Sequence, residues 1–421
     1  MAALIAIACN HGVGRAPLTP TAEPTATTSP PTATPDPGPP QPEVWRVLEH
    51  IRGLSDEIGA RIAGSPAVDA AATYAAEQFR GWGYDVELQE FTATGPGTLR
   101  YTTITVEQDA TVDQDAPLEL AAVAFGGGGA GVVSGMLVDA GTGLPADFPP
   151  EAAGAIVLIQ RLDVTFADMA RRAEEAGALG FLVANKEPGL FPGRIEPETS
   201  LPAAAIDQAD GEALRELLAA GPVELTLKVR AEVQARNVVA RPPSGRCRTV
   251  SGGHYDGVPW ADGANDNASG SALVLELARA VAAAGLTDHC FALFDAEELG
   301  LLGSAFFIEE LTDAERDELE VMFNHDASAG FVPLQLIGSA ALTDEARALA
   351  TQLGFDSTIT QLSERASSDH ASFLEAGIPA LMLTAAGKGT IHTSADTLAN
   401  LIEESLAPIL ELGFALLEAR G

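Results

Sequence analysis

The sequence predicts an α/β fold, a mostly parallel central sheet flanked by helices, with a small β-rich segment inserted into it. Three observations lead there. From Asn237 onward, apolar strand-like runs alternate with helical stripes, the pattern of a parallel sheet covered on both faces. Residues 44–94 read as helix, helix, strand. Between about Gly95 and Pro222 the texture changes to short apolar strands separated by Gly-rich turns, including Gly126 to Gly129.

Taken in order, Met1 to Cys9 is an apolar stub that ends in small residues and a cysteine. It is similar to the tail of a bacterial lipoprotein signal, in which the cysteine carries the lipid, although no basic region precedes it and Ala6 stands where Leu is usual. That similarity implies export, with Cys9 as the attachment point of a protein held outside the cell or on its surface. Residues 10–43 follow as a linker: Pro17 to Pro42 holds ten prolines and seven threonines, a polyproline-like stretch that cannot pack a core.

In residues 44–94, Val44, Val47, Leu48 and Ile51 have helical spacing, and Ala71 to Trp82 gives a second stripe capped by Gly83. The alternating run Tyr84 to Phe91 reads as a half-buried strand. The insert is assigned to residues 95–228. Within it, Ala155 to Ile159 and Gly180 to Ala184 are strands, separated by a helix from Phe166 to Ala176 that ends at Gly177. Residues 229–421 form the second part of the main domain.

Composition removes several functions. With 24 Lys and Arg against 59 Asp and Glu the net charge is −35, so phosphate backbones and anionic lipid would be repelled, and nucleic acid is excluded as a partner. No run of 18 apolar residues appears, which leaves a lipid on Cys9 as the route to a membrane. Three cysteines do not make a disulfide scaffold, but they allow one pair.

The chemistry gathers after Asn237. Thr249 to Gly253 delivers His254-Tyr-Asp256, and Cys290 to Phe294 delivers Glu297 and Glu298. Val321 to Phe323 delivers Asn324-His-Asp326, and Ala380 to Thr384 precedes a loop with His392. Asp266 lies in Gly263-Ala-Asn-Asp-Asn-Ala-Ser-Gly270, just before a helix from Ala268 to Ala284. In open parallel sheets ligands bind beyond the carboxyl ends of the strands, so topology brings these groups together. No HExxH helix motif is present, and any metal must be collected from separate strands. Histidines and carboxylates suit zinc, and two His with three carboxylates suffice for two Zn2+ if one carboxylate bridges. One Glu must then stay free to take a proton from water, and adjacent Glu297 and Glu298 offer that division.

These pieces resemble, in this order, the co-catalytic di-zinc aminopeptidase family, whose members include bacterial leucyl aminopeptidases, glutamate carboxypeptidase and glutaminyl cyclase. The matching stretches are His254-Tyr-Asp256, Gly263 to Gly270, Glu297-Glu298-Leu-Gly-Leu-Leu-Gly-Ser304, Asn324-His-Asp326, Ser368-Asp-His370 and His392-Thr-Ser-Ala-Asp396. Inside the insert, Ile156 to Ile159, Ala173 to Ala178 and Leu201 to Ile206 with Asp210-Gly211 resemble a protease-associated domain, which some relatives carry at this position.

The resemblance implies one zinc on His254, Asp266 and Asp326 and another on Asp266, Glu298 and His392. Glu297 would be the general base. Asp256, which would assist catalysis, and Asp396 would orient ligand histidines, and Asp369 would support the site from behind. It also implies a cis Asp266–Asn267 peptide. Some bacterial members have Arg before the Ser-Asp-His stretch and Tyr before the last ligand His, where this chain has Ser367 and Ile391, with Arg365 nearby. Either another group serves the oxyanion or turnover leans more on the metals.

The reading is an exported zinc aminopeptidase acting on peptides with a free amino terminus, held by acidic groups near Glu297 and Asp326. A carboxypeptidase or dipeptidase on the same scaffold would need a cation for the substrate carboxylate. Glutaminyl cyclase is disfavoured by two full ligand sets, and a non-catalytic receptor ectodomain by the intact ligands. Neither Ser269 nor Ser328 lies in the G-x-S-x-G motif of a serine hydrolase.

Last, Cys247 lies seven residues before His254 and Cys290 seven before Glu297. If both motifs reach one sheet edge on neighbouring strands, the cysteines share a level near the opposite end, within disulfide range. A Cys247–Cys290 bridge is expected.

Overall fold

The computed structural model describes residues 41–95, 101–107, 118–331, 333–362, 366–387 and 390–421. Cys9, the apolar stub and nearly all of the Thr/Pro stretch lie outside the described residues, as does Arg365.

Helices α1 (Val44–Arg52) and α2 (Pro66–Gly81) lead into β1 (Asp85–Ala93). The start of α2 is fixed locally: the Ser65 hydroxyl accepts the Val68 N–H, and Pro66 fills the first helical position, where no donor is needed. The insert follows, with β2 (Tyr101–Glu107), β3 (Leu118–Ala124), β4 (Gly131–Asp139), β5 (Ile156–Gln160), α3 (Phe166–Glu175), β6 (Gly180–Ala184), β7 (Ala203–Ile206), α4 (Gln208–Ala220) and β8 (Glu224–Val229). Its strands close a barrel in the order β2-β3-β7-β6-β5-β4-β8. Ile104, Leu120, Leu158, Leu182, Leu225 and Leu227 fill one of its two cores. The other is aromatic, with Phe125, Phe181 and Phe191.

The chain returns through β9 (Val233–Arg241) and β10 (Thr249–His254) to α5 (Gly270–Ala284), β11 (His289–Phe294), α6 (Leu302–Glu310), α7 (Asp313–Glu318) and β12 (Val321–His325). It ends with β13 (Leu334–Gly338), α8 (Ala340–Leu353), β14 (Ser357–Ile359), α9 (His370–Glu375), β15 (Ala380–Thr384) and α10 (Leu406–Glu418). The sheet order is β1-β9-β11-β10-β12-β15-β13-β14. Strands β11, β10, β12 and β15 are mutually parallel, and antiparallel pairings occur only toward the two edges. The four runs singled out in the sequence are therefore the four central, adjacent strands.

Each of the four is buried along its whole length, because helices cover both faces. Phe291, Leu293, Phe323 and Leu381 pack toward α5 and α10 with Leu273, Leu277 and Leu410. Val250, Ala292, Phe294 and Met322 pack the other way, against Phe307 of α6 and Phe373 of α9. Burying each of the larger of these side chains contributes about 1.5–3 kcal/mol, which makes this part of the sheet a rigid platform.

Cys247 and Cys290 form a disulfide with Cα atoms 5.3 Å apart. They are not level in the ladder: Cys290 pairs with Val250, three residues beyond Cys247. Cys247 reaches it from the chain leading into β10. The bridge still lies at the end of the sheet away from His254.

Candidate active site

Sheet topology sets the positions. His254 is the last residue of β10, Asp326 directly follows β12, Glu297 and Glu298 follow β11, and His392 stands on the loop after β15. Asp266 sits in the turn Ala264–Ser269 that opens α5, and its peptide bond to Asn267 is cis.

The donor atoms form two groups. Those of His254, Glu297 and Asp326 lie within 4.8 Å of one another, as do those of Asp266, Glu298 and His392. Asp266 joins them. Its Oδ1 is 3.3 Å from His254 Nε2, and its Oδ2 is 3.0 Å from His392 Nε2. His254 Nε2 is also 3.5 Å from Asp326 Oδ1, and His392 Nε2 is 3.2 Å from Glu298 Oε2. His254 Nδ1 lies 3.2 Å from the Asp256 carbonyl; a proton shared there leaves Nε2 free to face the carboxylates. The His254 group thus contains both Asp266 and Glu297 beside its histidine and Asp326.

Burial makes the group electrostatically demanding. It pushes Glu298 up to about 7 and raises Glu297 well above the usual carboxylate range. Burial works against Asp266 too, but contacts from His254 and His392 outweigh it and hold that carboxyl down. His392 is raised to about 11 by Asp266 and Glu298. His254 is raised as well, since Glu297 and Asp326 prevail over its burial. Glu298 Oε1 is buried with no hydrogen-bond partner among the described residues. Concentrated buried carboxylates with imidazole nitrogens and an orphaned acceptor are a donor set that calls for cations, and its chemistry fits zinc.

The supporting carboxylates also hold backbone N–H groups around the site. Asp256, fully buried, receives the backbone N–H of Glu297 on Oδ1 at 3.1 Å and of Glu298 on Oδ2 at 3.3 Å. Its carboxylate is 3.5 Å from His254 Nδ1, so it holds the Glu297-Glu298 backbone more closely than the imidazole. Asp396 lies behind Asp266: it accepts the N–H of Asn265 at 2.7 Å and of Asp266 at 3.0 Å. Asp369 is fully buried, and burial pushes its carboxyl up to about 7. His325 is directed away, toward Gly413 of α10.

Three further residues build the site, and none carries a motif of its own. Asn267 Nδ2 donates to the carbonyls of His254 and His325, while its Oδ1 accepts from the N–H of Gly270 and Ala327, joining three segments that carry the donor groups through one amide. That closeness needs glycine, since a Cβ on Gly270 would meet the His325 carbonyl at 2.1 Å. Arg61, from the loop before α2, is 1% exposed and donates to the carbonyls of Tyr255, Leu54, Gly59, Asp262 and Gly263. Trp260 donates from Nε1 to the His392 carbonyl at 3.0 Å. Asn267 stands inside a quoted motif, so its position was a signal; Arg61 and Trp260 act across the chain and left none.

A parallel sheet whose central strand ends converge on two joined groups of His and carboxylate donors defines an enzyme of the metallohydrolase type. Comparison with known proteins narrows the class. The model of peptidase family M28 matches residues 237–416, and that of the PA domain matches residues 129–214. Aminopeptidase YwaD of Bacillus subtilis is 33% identical over 351 residues, covering 78% of this chain and 72% of that protein. Leucine aminopeptidase 2 of Trichophyton equinum is 36% identical over 188 residues, 43% of this chain and 38% of that protein. Among solved structures, the zinc aminopeptidase BSAP from Bacillus subtilis superposes with a TM-score of 0.61 at 29% identity, over 90% of this chain and 95% of that one. The chain belongs to peptidase family M28, and it carries an inserted PA domain.

Proposed function

We propose that the protein is an exported aminopeptidase that binds two zinc ions and removes N-terminal residues from peptides with Glu297 as general base. Its family membership and aminopeptidase relatives support the reaction class. The observation that carries the two-ion reading is Asp266, whose two carboxylate oxygens are aimed at different histidines, 3.3 and 3.0 Å away. Asp266 would be shared, with His254 and Asp326 completing one ligand set and Glu298 and His392 the other. Export is supported by the Cys247–Cys290 disulfide, a bond that persists in oxidising compartments.

Bound zinc supplies Lewis acidity that polarises a carbonyl and makes water acidic near neutral pH. The protein's own residues do the rest. The substrate's amino terminus lies against the acidic groups near Glu297 and Asp326. Glu297 takes a proton from the attacking water as its oxygen bonds to the first carbonyl carbon. It then delivers that proton to the amine nitrogen as the C–N bond breaks, so the base is regenerated and no net proton is consumed. Asp256 fixes the backbone of Glu297 during both transfers.

A panel of aminoacyl-4-nitroanilides and N-blocked dipeptides, each with chelator and with added zinc, tests the proposal. Turnover of the anilides that chelator abolishes and zinc restores is expected. Hydrolysis confined to N-blocked dipeptides would establish a carboxypeptidase or dipeptidase instead.

A further inference from the structure

His392 is the least secured member of the donor set. Its side chain is 53% exposed, whereas those of His254, Asp266 and Glu298 are between 1% and 7% exposed. Its backbone is left-handed, with φ at 56°, a conformation costing a non-glycine residue on the order of 1 kcal/mol or more unless the surroundings impose it. Local bonds hold the residues after it: the Asp396 N–H donates to the Thr393 carbonyl, and the Ala395 N–H to the Thr393 hydroxyl. Among the described residues, the hydrogen bond to the His392 main chain itself comes from Trp260 Nε1.

Trp260 belongs to the loop between β10 and the Asp266 turn, yet its ring packs against the aromatic core of the insert, which contains Phe125, Phe166 and Phe191. One side chain therefore joins the insert to the backbone of a candidate zinc ligand. We infer that Trp260 is a positioning residue: by anchoring its ring on the insert and its N–H on the His392 carbonyl, it holds His392 in the conformation that completes the second zinc set. The insert is in consequence part of the frame of that metal site. This rests on the two-zinc reading above.

Trp260→Phe keeps an aromatic ring for the packing and removes the donor. Wild-type and variant protein are titrated with EDTA, with retained zinc measured directly and the melting temperature of the zinc-free forms recorded beside it. The expected result is two zincs per wild-type chain, one of which leaves the variant at roughly tenfold lower EDTA, the range in which partners of metal ligands act. The zinc-free melting temperatures stay within about 2 °C of each other. Zinc addition changes tryptophan emission in the wild type, and that change is lost in Trp260→Phe, where Trp45 and Trp82 remain. Trp260→Ala, which also removes the packing, loses the zinc at lower EDTA still. A variant that holds both zincs to wild-type EDTA concentrations overturns the inference, and so does a loss explained by a lower zinc-free melting temperature. A wild-type chain that never binds more than one zinc overturns the two-zinc reading beneath it, an outcome read from the wild type alone.

Discussion

Asp396 accepts the backbone N–H of Asp266 on its Oδ2 at 3.0 Å, and its Oδ1 takes the neighbouring N–H of Asn265. One carboxylate thus ties the loop of His392 to the turn of Asp266, and the two donor groups that face each other across 3.0 Å cannot drift independently. Asp396→Asn keeps the shape but turns one acceptor into a donor against a buried N–H. A loss of about 1–3 kcal/mol of stability is expected, with zinc affinity weakened roughly 10–100-fold. Thermal unfolding of the zinc-free protein, compared with a zinc titration, separates the two effects; unchanged zinc affinity would remove Asp396 from the support of the site.

Glu297 and Glu298 are adjacent but have separate tasks in the proposed mechanism. Glu297→Gln should retain two zincs per chain and lose about 10²–10⁴-fold in kcat, the share of a general base. Glu298→Gln should lose zinc, because its Oε2 lies 3.2 Å from His392 Nε2 in the second set. Metal content and kcat measured on both variants decide the assignment. Near-normal turnover by Glu297→Gln would sink it, and retention of both zincs by Glu298→Gln would move that ligand elsewhere.

What the sequence shows of this site follows from locality. The strands β10, β11, β12 and β15 were legible because each is a short apolar run ending in a polar group, and a parallel sheet forces such ends together. The supporting contacts were legible only in part. Arg61 meets the Tyr255 carbonyl across 194 residues, and no periodicity marks an arginine whose partners are backbone oxygens. The resemblance implies Asp396 as a partner for a ligand histidine, and the fold sets its carboxylate against the Asp266 backbone. Equal spacing to two motifs places the cysteines level, and they stand three residues apart in the ladder, because Glu297 lies beyond the end of β11 while His254 still lies within β10.

The disulfide should matter for stability and not for turnover. It closes a 43-residue loop, and the chain-entropy relation puts that at about 4 kcal/mol. It lies at the end of β10 and β11 away from His254 and Glu297. Cys247→Ser/Cys290→Ser is expected to unfold at markedly lower denaturant while kcat/KM stays within about twofold. An unchanged unfolding midpoint would show that the bridge constrains little, and a large fall in kcat/KM would show that its influence reaches the site.

The last prediction concerns acid. His289, 1% exposed at the start of β11, shares a hydrogen bond from Nδ1 with the Thr249 hydroxyl at 2.7 Å, and its Nε2 has no partner among the described residues. Burial depresses it to about 4; Asp288 works against the shift, and Arg248 and Arg420 add to it. Protonation in the folded protein would leave a buried N–H without an acceptor. The unfolded chain titrates this histidine near the ordinary value of about 6.5, so between about pH 6.5 and 4 the unfolded state binds the extra proton. The stability this neutral histidine contributes is complete above that window and is lost as pH falls through it, at up to about 1.4 kcal/mol per pH unit. His289→Gln keeps a polar side chain that does not titrate. Its unfolding free energy should fall less steeply than the wild type's by about one proton between pH 6 and 4, with the two slopes converging above pH 7. Parallel slopes through the acid window would show that His289 already carries its proton in the folded protein.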